Sequence, residues 1–300
     1  MPERSPGAAL AARLAIGGGA LVRPAVAFAT VVVLAFAATA TGVADTILTV
    51  FEPKQVATIQ VDPRMYGSIP DPSGYGTLTW VTQPAWRDVS SASAAASVFG
   101  STPLVPSALP AGIPSTARFA VMPEAKATFR FDEAKARESA ARVGATIPPM
   151  PATIAATTLT MTGGPAVMQQ YTTAPNAPAD STAWSGNPAL LIVQTKAPVV
   201  TSNGATVNEL RDYALAQPGI PPALAAQIRA IGDPVRTMLV PVGVDLNDAK
   251  PVTVRGTQGY FVGDSTGLGS GVMWLERGYV IGVIGSLKEA DLIALVNGLR

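Results

Sequence analysis

The sequence predicts an α+β protein: one N-terminal transmembrane helix, then an antiparallel-sheet domain with helices packed on one face, closing in a β-meander plus helix. Three observations predict it. Pro24–Ala44 reads PAVAFATVVVLAFAATATGVA, without a charge. Beyond it, short β-branched and aromatic runs recur between Gly, Pro and Asp punctuation, which is the pattern of strands joined by turns. Between those runs lie segments with apolar residues at helical spacing, and strands mixed with segregated helices define the α+β class.

At 1.5 Å rise per residue, about 20 apolar residues cross a bilayer core of roughly 30 Å. A helical span also satisfies its own backbone donors and acceptors. The division is therefore residues 1–23 as a short tail, 24–44 as the span, and 45–300 as one polar-surfaced domain with a subdivision point near 172–187. Arg4, Arg13 and Arg23 stand against Glu3 in the tail, whereas the far flank opens with Asp45 and has no cation until Lys54. Positive charge marks the cytoplasmic side, which places the N-terminus inside and the bulk of the chain outside the plasma membrane. A cleaved signal peptide is the rival, with Ala38–Thr39–Ala40 as small residues at a cleavage site. The apolar run exceeds a typical signal core, and Ile47–Phe51 prolongs it, which favours the anchor.

The domain is expected to open with a strand at Val56–Val61, closed by Asp62-Pro63. A turn-rich stretch leads to a strand at Thr77–Thr82. Val89–Val98 reads as a short helix with Ser90 or Ser91 as N-cap, ended by Gly100. Pro103–Gly112 is a proline-fixed connector. Strands follow at Ala117–Met122 and Ala127–Phe131, then a helix at Glu133–Val143 capped by Asp132. Strands resume at Thr157–Thr162, Ala166–Tyr171 and Ala189–Gln194, with a polar loop at Thr172–Asn187. Helices are expected at Val207–Gln217 and Pro221–Ile231. Five strands then run from Arg236 to Ile284, with tight turns at Gly256-Thr257-Gln258 and Arg277-Gly278. The closing helix is Leu287–Leu299, with Ser286 and Glu289 as a capping box.

Composition removes much chemistry. The 300 residues include no Cys and no His. Disulfides, thiol nucleophiles, His-based triads and the commonest transition-metal sites need those side chains. With 21 Lys+Arg against 20 Asp+Glu there is no basic footprint for nucleic acid.

VTVRGTQGYFVG (Val252–Gly263) and GVMWLERGYVIGVIGSLKE (Gly271–Glu289) resemble the C-terminal unit of a bacterial extracytoplasmic family, a domain of unknown function found in anti-sigma-factor-like and sporulation-associated single-pass membrane proteins. Phe99 with PLVPSALPAG (Pro103–Gly112) is similar to that family's connector, and FEPKQV (Phe51–Val56) to its juxtamembrane motif. The resemblance implies a non-catalytic regulatory domain and brings no catalytic residues. Anti-sigma factors of this type carry a folded domain before the span, which a 23-residue tail is too short to form.

Few motifs suggest chemistry. Gly263–Gly271 is glycine-rich, but a strand follows it rather than a helix N-terminus, and it lacks a Gly-Lys-Ser/Thr ending. Asp245–Asp248 lacks the glycine and closing glutamate of a calcium loop. No Ser stands three residues before a Lys. Asp132–Glu133 and Glu289–Asp291 sit in first helical turns, where the helix dipole favours them. Trp80, Trp86, Trp184 and Trp274 read as core or interface aromatics, with Tyr66, Tyr75 and Trp80 close enough to the span to meet headgroups or glycan. The ligand or partner surface is accordingly expected around Tyr75, Trp80, Trp274, Gly267 and Gly269, with no cofactor and no metal.

The resulting expectation is a membrane-anchored sensing or interaction domain of the cell envelope. It partners the bilayer through residues 24–44 and meets an envelope protein, lipid or glycan outside. The alternative is a lipid or lipoprotein carrier, marked by a continuous apolar cleft. A hydrolase using two carboxylates is the third option.

Overall fold

The computed structural model describes residues 47–62, 71–172, 189–243, 248–263 and 269–300. The tail, the span at 24–44, Tyr66, Trp184, Gly267 and most of the loops expected at 172–187 and 263–271 lie outside them. Among the described residues no helix is long and apolar enough to cross a membrane.

The strands are β1 (Leu48–Phe51), β2 (Gln55–Val61), β3 (Gly76–Thr82), β4 (Arg87–Val89), β5 (Ala117–Met122) and β6 (Ala125–Phe131). Then come β7 (Thr158–Gly163), β8 (Ala166–Tyr171), β9 (Leu190–Lys196) and β10 (Val199–Ser202). The last five are β11 (Thr237–Gly243), β12 (Asp248–Val254), β13 (Thr257–Gly263), β14 (Ser270–Glu276) and β15 (Tyr279–Gly285). The helices are α1 (Ala92–Phe99), α2 (Glu133–Arg142), α3 (Ala152–Ala155), α4 (Val207–Leu215), α5 (Pro222–Arg229) and α6 (Glu289–Asn297). The α+β class with antiparallel sheets stands, as does the closing meander β12–β15 with its helix.

The expected single sheet is instead divided. An eight-stranded antiparallel sheet has the order β12-β13-β14-β15-β9-β8-β5-β4, and a five-stranded one the order β1-β10-β7-β6-β3. A separate parallel pair joins β2 to β11, from Gln55↔Thr237 to Val61↔Gly243. The two large sheets share three chain segments. β5 passes into β6, β8 follows β7, and β9 passes into β10, each across two residues holding one proline: Pro123, Pro165 or Pro198. The breaks are aligned, because Met122 pairs with Ala166 on one side and Ala125 with Gly163 on the other. Proline has no N–H to give a ladder, so the regular pairing of three adjacent strands is interrupted near one level, where the Lys196 N–H still donates to the Pro165 carbonyl at 3.0 Å, and the strands turn together. Gly164 holds its part of the corner at φ +74°, with the Pro123 carbonyl 3.2 Å from where a Cβ would stand.

Each sheet carries its own helices. One face of the eight-stranded sheet buries Trp274, Ile281 and Val283 under Leu292, Leu295 and Val296 of α6, and Val121 and Val167 under Ala95 and Phe99 of α1. The inner face of the five-stranded sheet buries Ala127, Leu159, Met161 and Val200 against α2, α3 and α4. The β2–β11 pair takes α5 on one side through Ile59, Leu224, Ile228 and Leu239. Its other side offers Val56 and Met238 to the cluster that also holds Leu275 and Val280.

Several local expectations are corrected. Leu48–Phe51 is a strand that buries Val50 and Phe51, not a continuation of the apolar run. β4, β10 and α3 were not foreseen; they are three or four residues long and pair or pack only through distant partners. The α6 N-cap is Lys288, without a side-chain cap, because the Ser286 N–H still donates to the Ala189 carbonyl at 3.1 Å. The first meander turn is Arg255-Gly256, at φ 50° and 79°, matching Arg277-Gly278 at 52° and 82°. Both central residues at positive φ define the hairpin turn whose twist suits the strands. The Ser91, Asp132 and Thr206 caps each accept a backbone N–H as helix starts require.

Two buried glutamines anchor the connector. The Leu104 carbonyl accepts from Gln169 Nε2 at 2.7 Å and Gln194 Nε2 at 2.8 Å, while its N–H donates to Gln194 Oε1 at 2.9 Å. Val105 and Arg300 then exchange backbone bonds at 2.9 and 3.0 Å. The Gln194→Leu variant strands the Leu104 N–H in an apolar core, and is expected to lose about 2 kcal/mol of stability. Urea unfolding reads this as a lower midpoint with an unchanged slope.

The C-terminus is clasped as well. Arg255 Nε donates to Glu276 Oε2 at 2.8 Å, its Nη1 donates to the Leu299 carbonyl, and Trp274 Nε1 donates to Glu276 at 3.2 Å. Burial raises the Glu276 pKa, but the hydrogen bonds from Arg255 and Trp274 outweigh it and hold the carboxyl below its ordinary 4.5. A depressed carboxyl adds stability that is complete above the unfolded value and lost as pH falls through the folded one. Glu276→Gln is therefore expected to cost about 2 kcal/mol at neutral pH, with the deficit shrinking in acid below 4.5; paired pH–urea titrations measure it.

Candidate functional site

The face of the eight-stranded sheet turned away from α6 is apolar and incompletely covered. Its middle row runs Pro251, Tyr260, Met273, Gly282, Val193, Met168, Ala120 and Asp88, one residue from each strand in direct register. The row beside it runs Val262, Gly271, Ile284, Leu191, Gln170 and Arg118. The strand period of two puts these side chains on one side and Trp274, Ile281 and Val283 on the other.

Two packed clusters divide that face. Tyr260, Met273, Leu275 and Val280 belong with the β2–β11 pair and the five-stranded core. Ala120, Met168, Leu191 and Val193 gather under Trp86. Gly282 and Ile284 lie on the seam, in neither cluster, and both are half-buried, as are Tyr260, Met273 and Val193. A Cβ built on Gly282 would meet nothing within 4 Å. The middle of an eight-stranded sheet is where a face should be driest, yet here it is open.

The glycine is not there for its backbone. Its φ lies outside the left-handed region, and a glycine inside a strand costs roughly 0.5–1 kcal/mol relative to alanine. What its missing side chain provides is room: a groove floored by Gly282 and Ile284, walled by Met273 on one side and Val193 on the other. The described lining has little polarity beyond the Tyr260 hydroxyl and, at the margins, Thr195 and Gln170. It offers shape and apolar contact and holds no carboxylate pair or nucleophile–base pair. Among the described residues no group of three acidic side chains is placed to hold a metal.

The five residues singled out from sequence are not brought together. Trp274 is fully buried beneath α6, its indole N–H on Glu276. Gly269 is buried beside the start of β14, and Gly267 lies outside the described residues. Tyr75, in the turn before β3, and Trp80, on the inner side of β3, both pack half-buried against the five-stranded core. Burial pushes the Tyr75 phenol up, and takes Tyr213, nearby on α4, up to about 12 with the help of Tyr75 and Glu133. These are core aromatics. Sequence reasoning missed Gly282, Ile284, Met273 and Val193. The available signal was Gly282, the interior one of two glycines in the strand YVIGVIG, which marks a place where something approaches the backbone.

No family model, curated protein or solved structure matches the chain. The groove is therefore read from its own geometry.

Two glycines of the meander separate open space from close packing. At Gly259 a Cβ would stand 2.8 Å from the Met273 carbonyl and 2.9 Å from Trp274 Cβ. Gly259→Ala is expected to destabilise by about 1–3 kcal/mol, whereas Gly282→Val should hold stability or raise it by up to about 1 kcal/mol. Thermal and urea unfolding of the two variants checks the contrast.

Proposed function

We propose a single-pass, N-in membrane protein whose extracytoplasmic domain binds an apolar ligand, of the acyl-chain class, without catalysing a reaction on it. One observation carries the ligand class: the half-buried seam at Gly282, open on an otherwise apolar sheet face. Apolar pockets with few polar groups are the usual form of small-molecule sites. The uncharged stretch Pro24–Ala44 supports the anchor and Arg4, Arg13 and Arg23 its orientation. The resemblance of Val252–Gly263 and Gly271–Glu289 to anti-sigma-like membrane proteins supports a sensing role over a freely diffusing carrier.

Photocrosslinking in intact membranes tests this. A benzoylphenylalanine at Val193 is expected to yield an adduct with the mass of a lipid. Gly282→Leu, which fills the floor while leaving the fold intact, should remove it. Adducts with protein alone, or a lipid adduct indifferent to Gly282→Leu, would count against the groove.

A further inference from the structure

We propose that the outer face of the five-stranded sheet rests on the membrane surface, against anionic phospholipid headgroups; this relies on Pro24–Ala44 being a span. That face is the side of the sheet opposite the core of α2, α3 and α4. Its central row is Thr79, Thr128, Thr160, Thr201 and Thr49, one threonine from every strand in direct register. The rows on either side hold Thr77, Arg130 and Thr158, and Lys126, Thr162 and Val199. No carboxylate occupies any of these positions, whereas Lys126 and Arg130 are both exposed. The face is thus cationic and lined with hydroxyls that can donate to phosphate oxygens.

Chain length places it. The span ends at Ala44 and β1 begins at Leu48, so at most roughly 14 Å of extended chain separates them. The interfacial layer on each side of the hydrocarbon core is itself about 5–8 Å deep. The edge strand β1 is therefore held within reach of the headgroups, and the sheet follows it. Ile47 and Val81 are 70% and 64% exposed, one at each edge strand of this sheet. Ile47 directly precedes β1 and Val81 is the unpaired residue of the bulge in β3, so both stand at the rims of the sheet, where an interface accepts exposed apolar side chains.

Electrostatics sets the expected size. A Lys or Arg near an anionic leaflet contributes about fivefold to binding, so the two together favour the docked orientation roughly thirtyfold at low salt. Like charge makes a second copy of the same face a poor occupant.

The chain has no cysteine, so Thr160→Cys carries a single fluorophore at the centre of the face in the full-length protein. Vesicles of phosphatidylcholine, with or without phosphatidylglycerol, carry a headgroup nitroxide quencher. Quenching is expected with phosphatidylglycerol and should fall in its absence, in high salt, and in the Lys126→Glu/Arg130→Glu variant. Quenching that ignores lipid charge and this variant, in protein that stays with the vesicles after alkaline carbonate washing, overturns the docking and leaves the span intact. Protein released by carbonate overturns the span itself, and the docking with it. Shielding of the label by a soluble anionic glycan but not by vesicles also overturns the membrane as occupant.

Discussion

A single aligned corner shapes this domain. Pro123, Pro165 and Pro198 interrupt three neighbouring strands at one level. A lone proline inside a sheet would leave a partner carbonyl without its donor. With Pro123 opposite Pro165 and Pro198 two residues from that line, breaks fall beside breaks, the Lys196 N–H still reaches the Pro165 carbonyl, and the regular ladder resumes past the corner. The cost falls on one line across the sheet, and that line becomes a fold. By the strand period of two, these faces would lie on opposite sides of a continuous flat sheet; the corner brings them together, and Leu275 and Val280 of one share a cluster with Leu159 and Met161 of the other.

The groove follows from that arrangement. One face of the eight-stranded sheet has a dedicated cover in α6 and α1, and its central aromatic, Trp274, is completely buried. The opposite face is covered from two directions, by the β2–β11 pair with the five-stranded core and by the segment holding Trp86. The covers leave a seam at Gly282 and Ile284. A larger residue at Gly282 would have space and better strand propensity, so glycine there keeps the seam open at a small cost in stability.

The five-stranded sheet separates two environments. Its inner face is apolar and closed by helices; its outer face carries threonine on every strand, with Lys126 and Arg130 beside them. Threonine suits that position, since its β-branch fits the pleat and its hydroxyl stays wet. If the span holds β1 near the bilayer, one side of this sheet meets headgroups and the other backs the domain core, and the corner strands join that sheet to the one that carries the proposed groove.

Sequence alone determined what depends on near neighbours. The caps at Ser91 and Asp132, the strands from Val56 to Tyr279 and the Arg277-Gly278 hairpin were legible because each is set by residues a few positions apart. The absence of Cys and His bounded the chemistry in the same way. Tertiary structure decided the rest. The short strands β4 and β10 exist because distant strands pair with them, and Val50 and Phe51 are buried by a domain rather than by a bilayer. Trp274, core or interface by sequence and named for the ligand surface, is core because α6 covers it. The glycine in YVIGVIG and the threonines of five separate strands acquire meaning only through register, which joins residues up to about 150 positions apart along a single line. Local pattern specifies which side chains point together; only the folded sheets specify what stands opposite them.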